Sequence, residues 1–195
     1  MLMIAIQYEH NSTAQWHALV NDAQAACQCK LEEDAESYLV FLLMRYLTRP
    51  EFVSKIIALD YLKGSLSQGQ LKFERLREVG DQCLLFSGLF PYQAQKRQVK
   101  ISYFVKIGQS AYHNLTSVVS TESAQLYHLL AHSFVNLMDV LHSIREMNRD
   151  EALLQPLIAM ELWRETGSKK ALETVKASTK ISSIFMDKES SYSIN

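Results

Sequence analysis

The sequence is poor in the residues that build turns and cross-links. Six glycines and three prolines in 195 residues are too few for the many tight turns of an all-β chain, which points to helices. Three cysteines are too few, and odd in number, for a disulfide framework. Cys27 and Cys29 are two apart, and on a helix side chains so spaced point about 200° apart. They are therefore expected to share neither a bridge nor a metal, and all three thiols are expected to be buried or idle in a reducing compartment. No apolar run is long enough to span a membrane. The longest, YLVFLLMRYL at 38–47, is interrupted by Arg45 and is about half of the ~20 residues a spanning helix needs. The opening MLMIAIQYEH lacks a basic start and a small-residue cleavage site, so it does not read as a secretory signal. Net charge is nearly absent at −1, so no global field draws the chain to nucleic acid or to an anionic membrane. The expectation is a cytoplasmic protein without membrane insertion.

Catalytic signatures are missing as well. There is no G-x-x-x-x-G-K-[ST] loop, no G-x-G-x-x-G, no H-E-x-x-H and no G-x-S-x-G, which removes the usual nucleotide cradles, zinc-protease helix and nucleophile elbow. No Glu is followed three residues later by His, as a ferritin-like di-iron bundle requires. No His-Asp dipeptide and no D-D-x-x-D run occurs.

What is present is helical periodicity. The pattern predicts an all-α, single-domain orthogonal or mixed bundle of seven to nine helices over 1–184, with 185–195 a flexible tail. Predicted helices cover 12–28, with Ser12 or Thr13 as cap, and 33–48, opened by EEDAE. A third runs from Pro50 to Lys63–Gly64, followed by helices over 69–87, 95–115, 121–148, 156–166 and 168–180. The second is apolar almost all round from Tyr38 to Leu47, so it is expected to be central. IAIQY near the start suits either a short strand or an extended arm.

Two helices carry a glycine at the centre of their apolar stripe. At 100° per residue, Phe73, Leu76, Cys83, Leu84 and Ser87 fall within about 60° of Gly80, while Arg75, Glu78 and Asp81 fall outside. Ile101, Phe104, Val105, Ala111, Tyr112 and Leu115 surround Gly108 in the same way. With Gly88 read as a helix stop, Pro91 just beyond it and a short connection, the two helices are expected to be antiparallel neighbours. Gly80 and Gly108 would then face each other as helix-packing residues, a close backbone approach compensating the ~1 kcal/mol that a mid-helix glycine costs. A flat ligand against bare backbone is the rival reading. The segments REVGDQCLLFSGLFP, YFVKIGQSAY and ELWRETGSKKAL resemble a group of small uncharacterised proteobacterial all-helical proteins. The resemblance implies a helical fold and transfers no activity.

The helix over 121–148 places His128, His132, Asp139, His142 and Glu146 on one stripe, opposite Leu126, Leu130, Phe134, Leu137 and Leu141. This stripe is expected to be a solvated face. Two sharper readings stand beside that one. His128 and His132, four apart, can reach one divalent metal, with a third ligand from elsewhere. Asp139, His142 and Glu146 can form a partner face, responsive to pH because imidazoles titrate near neutrality. His10, His17 and His113 are isolated and read as structural. From Tyr92 to Thr121 there is no acid, while Lys96, Arg97, Lys100 and Lys106 are basic. Lys169, Lys170, Lys176 and Lys180 add to this on the last helix. These charges share no single edge, so solvated surface is expected rather than a nucleic-acid interface. Taken together, the residues favour a non-enzymatic binding or adaptor module with a protein partner and no cofactor. The alternative is a small-ligand- or metal-binding protein, or an enzyme, with a pocket between helices.

Overall fold

A computed structural model of the chain describes residues 13–48, 61, 64–92, 99–147 and 152–179. These residues contain no strand, and the protein is all-α with about seven to nine helices. In chain order, the helices are α1 (Thr13–Ala26), α2 (Glu33–Thr48), α3 (Gly69–Leu89), α4 (Ile101–Leu115), α5 (Thr121–His132), α6 (Phe134–Glu146), α7 (Pro156–Thr166) and α8 (169–179). Most of the predicted third helix, the N-terminal arm and the C-terminal tail lie outside the described residues.

The axis of the fold is α3. Every residue from Val79 to Leu89 is buried, three turns covered around the whole circumference. Helices α4 and α6 pack against it, and α4 also meets α5 and α7. The expectation that α2 is central is corrected here. Helix α2 packs on α1 and α5, and Phe41 in its middle is 59% exposed, so one side of it lies open. Its apolar content could not reveal which helix would be enclosed. That depended on where small residues allow neighbours to approach.

Those small residues lie on α3 and α4. The two helices run antiparallel. Gly80 lies against Tyr112, Cys83 against Gly108, and Phe86 stacks on Phe104 with ring centroids 5.4 Å apart, so numbers rise on one helix as they fall on the other. The glycines do not meet backbone to backbone. A Cβ at Gly80 would come within 2.6 Å of Cδ1 of Tyr112, and a Cβ at Gly108 would strike the Phe134 ring and come within 2.9 Å of Cys83 Cβ. Each glycine is a notch that receives an aromatic ring. Gly88 is a third notch rather than a helix stop: α3 continues to Leu89, and a Cβ at 88 would sit 2.5 Å from Leu141 Cβ on α6.

The helix predicted over 121–148 is two helices. Ser133, at φ −86° and ψ 6°, ends α5 and begins α6. The helix predicted from 95 begins at Ile101, after extended Lys100.

Candidate functional site

An open cleft lies between α4 and α5. Gln109, Ser110, His113 and Asn114 line one wall, and His128, Ala131 and His132 the other, with Tyr61 at the side and a volume of about 490 Å³. Asn114 Nδ2 donates to the Tyr61 hydroxyl over 3.1 Å. His128 and His132 are exposed on successive turns of α5, as the i, i+4 spacing requires. His113, read from sequence as structural, faces this same opening from α4. Among the described residues, the lining holds three imidazoles, two amides and two hydroxyls, and neither a carboxylate nor an ammonium. Among the described residues, no three His, Cys, Asp or Glu side chains are placed to hold a metal ion.

The rest of the predicted stripe does not join the cleft. Asp139 and His142 are fully buried, and Glu146 is largely covered. Their assignment to a solvated or partner face is corrected. The residues from Leu137 to Ser143 are all buried, two whole turns, because α1, α3 and α4 all pack on α6. Each polar group has an interior task. Asp139 accepts bonds from Ser168 Oγ (2.6 Å), Lys169 N (2.8 Å) and Lys170 N (3.4 Å). It thereby satisfies the open first turn of α8 from another element. Burial pushes its carboxyl upward, and these bonds and His142 oppose the shift. His142 Nε2 lies 2.8 Å from the Ser87 carbonyl oxygen. A carbonyl can only accept, so Nε2 carries the proton. Burial lowers the His142 pKa, with the Asp139 charge opposing. Glu146 accepts from Leu153 N (2.6 Å) and pairs with Lys170 Nζ (3.0 Å).

A second interior cluster was not visible in the sequence. Asp81, only 100° round α3 from Gly80, is fully buried. Its carboxylate accepts the Tyr38 hydroxyl at 2.6 Å and the Tyr112 hydroxyl at 2.7 Å, and pairs with Arg45. Burial raises the carboxyl while Arg45 and both phenols hold it down. The Tyr112 ring that carries one of these bonds is the ring seated on Gly80, so notch and ion pair form one unit. The available signal was a pair: one Arg interrupting the apolar run of α2 and one Asp within that of α3.

All three thiols are buried, as expected, but the angle assumed between Cys27 and Cys29 is corrected. Helix α1 ends at Ala26, and Gln28 is left-handed at φ 51°, so the helical 200° separation does not apply. Cys29 Sγ donates to the Cys27 carbonyl over 3.4 Å, and the Cys29 side chain lowers the Cys27 thiol to about 7. Cys29 lines an open cleft of about 320 Å³ with Asn21, Gln24, Gln28, Lys30 and Glu36. Cys83 is enclosed between α3 and α4, and burial raises its thiol.

On the outside of α7, Leu157, Met160 and Trp163 are exposed by 83%, 41% and 37%. Spaced three apart, they cover about 120° of the helix surface. Beside them Lys100 pairs with Glu161 (2.6 Å) and Glu165 (2.8 Å), so this lysine of the predicted basic group is engaged by carboxylates. No described helix is long and apolar enough to cross a membrane.

Comparison with protein-family models, with curated proteins and with solved structures finds no match.

Proposed function

We propose that this chain is a non-enzymatic helical binding protein that recognises a protein partner in the cytoplasm through the outer face of α7. One observation carries the reading: Leu157, Met160 and Trp163 form a contiguous apolar stripe in solvent, rimmed by Lys100, Glu161 and Glu165. An apolar centre rich in Trp and Met with a polar rim is the anatomy of a protein interface. A photo-crosslinking amino acid placed at Met160 in the protein's own cells tests the reading. The expected result is a discrete adduct, lost with Leu157→Arg and absent when the crosslinker replaces exposed Glu122 on α5. No adduct, or the same pattern at both positions, defeats it.

The second reading is a small-ligand or divalent-metal site in the α4/α5 cleft. It is favoured by His113 joining His128 and His132 around one opening, since neutral imidazole binds transition metals and donates to polar ligands. Elemental analysis of protein purified without an affinity tag would give a stoichiometric metal, lost in His128→Ala/His132→Ala. Protein free of metal that shows no thermal shift with added zinc or nickel removes the metal version.

A further inference from the structure

The turn after α1 carries chemistry that the α7 face and the α4/α5 cleft do not use. Gln28 is the one non-glycine residue with positive φ among the described residues, a conformation that costs an L-residue about 1–2 kcal/mol. It swings residue 29 back toward residue 27, so that the Cys29 Sγ lies 3.4 Å from the Cys27 carbonyl oxygen. The surroundings of the two sulfurs differ. Cys27 is closed off from solvent, with its Sγ 3.7 Å from the Gln24 carbonyl oxygen. Cys29 is itself buried, at 5% exposure, but it lies in the lining of an open cleft about 320 Å³ in volume. Lys169 closes over the turn, its Nζ 3.5 Å from the Gln28 carbonyl oxygen, and its charge favours the Cys29 thiolate, while Asp139 acts against it.

We propose that Cys27 and Cys29 are a redox-active dithiol, a modification site that closes to an intramolecular disulfide by exchange with a small-molecule disulfide entering the cleft beside Cys29. The pairing of the thiols makes the first step accessible. The neighbouring Cys29 side chain is the main reason that the Cys27 thiol falls to about 7, and Cys27 in turn pushes Cys29 up. At neutral pH the Cys27 thiol is therefore partly ionised, while Cys29 keeps its proton. As the Cys29 sulfur attacks one sulfur of the small disulfide, it passes its proton to Cys27. The small disulfide's S–S bond breaks, and one small thiolate leaves. The Cys27 sulfur then attacks the Cys29 sulfur of the mixed disulfide and expels the second small thiolate, which takes the Cys27 proton. Both cysteines are oxidised and one small disulfide is reduced to two thiols, one of them leaving as its thiolate. Cys83 is enclosed between α3 and α4 and serves as an internal control.

The test treats the full native chain with 2-hydroxyethyl disulfide, quenches with acid and maps the peptides by mass. The expected product has lost two hydrogens, carries a Cys27–Cys29 link and retains a free Cys83. Cys27→Ser should trap the mixed disulfide on Cys29, and Cys29→Ser should abolish the reaction. Wild-type protein whose three thiols react only after denaturation, or which links through Cys83 or between chains, overturns the proposal without recourse to either variant.

Discussion

Helices α5 and α6 are 12 and 13 residues long, separated by one serine, and carry the same kinds of polar residue. They nevertheless have opposite fates. In α5 only Tyr127 and Leu130 are buried, and His128 and His132 face the cleft. In α6 eight residues are buried, Asp139 and His142 among them. Composition does not separate the two helices; neighbours do. Helix α6 is wedged against α1, α3 and α4, while α5 rests mainly on α4. A buried polar side chain is stabilised by a partner inside, and Asp139 and His142 of α6 find Ser87, Ser168 and two backbone amides of α8.

The largest effect expected from this contrast is at Asp139. Asp139→Ala leaves the Ser168 hydroxyl and the first amides of α8 without their acceptor, at a cost of about 3 kcal/mol, read as a lower urea midpoint together with faster amide exchange in α8. Gly88→Ala should follow. Its new Cβ meets Leu141 Cβ rather than a movable side-chain tip, so the strain, about 2 kcal/mol, should exceed the ~1 kcal/mol gained in helix propensity. The next effect concerns pH. His142 has a folded pKa below its ordinary value, so as pH falls through about 6.5 the unfolded chain takes up the proton first. Stability is full above that range and declines below it, by at most about 1.4 kcal/mol per pH unit, until the folded pKa is reached. Unfolding curves at stepped pH should show this decline flattened in His142→Gln, whose amide can still donate to Ser87. The smallest effect is expected on α5: His128→Ala and His132→Ala should each change stability by less than ~0.5 kcal/mol. A large loss there, or none at Asp139, would erase the distinction between the two helices.

Element identity was legible wherever local chemistry marks the ends. The EEDAE opening and the apolar run define α2, which spans the predicted 33–48, and Pro156 begins α7 while Gly167 closes it. The centres of the two packing stripes were legible too, because Gly80 and Gly108 are both buried. Three-dimensional partnership was not. Asp81 reads as a surface residue because it lies off the stripe, and it is held inside by side chains 43, 36 and 31 positions away. His113 reads as isolated because the cleft that unites it with His128 exists only once α4 and α5 fold back on each other. The break at Ser133 left no mark, since a serine with ordinary neighbours neither ends nor bends a helix by rule. At Cys27 and Cys29 the error came from extending a helical angle across a helix end two residues early.

The Phe134 ring occupies the space that a side chain at position 108 would need. Any descendant of this chain that enlarges residue 108 must therefore shrink residue 134, and the two sites should mutate as a couple, trading volume across generations. Because Phe134 is also the first residue after the Ser133 break, that exchange would fall at the joint between the helix that carries two of the cleft's histidines and the helix that is buried in the core.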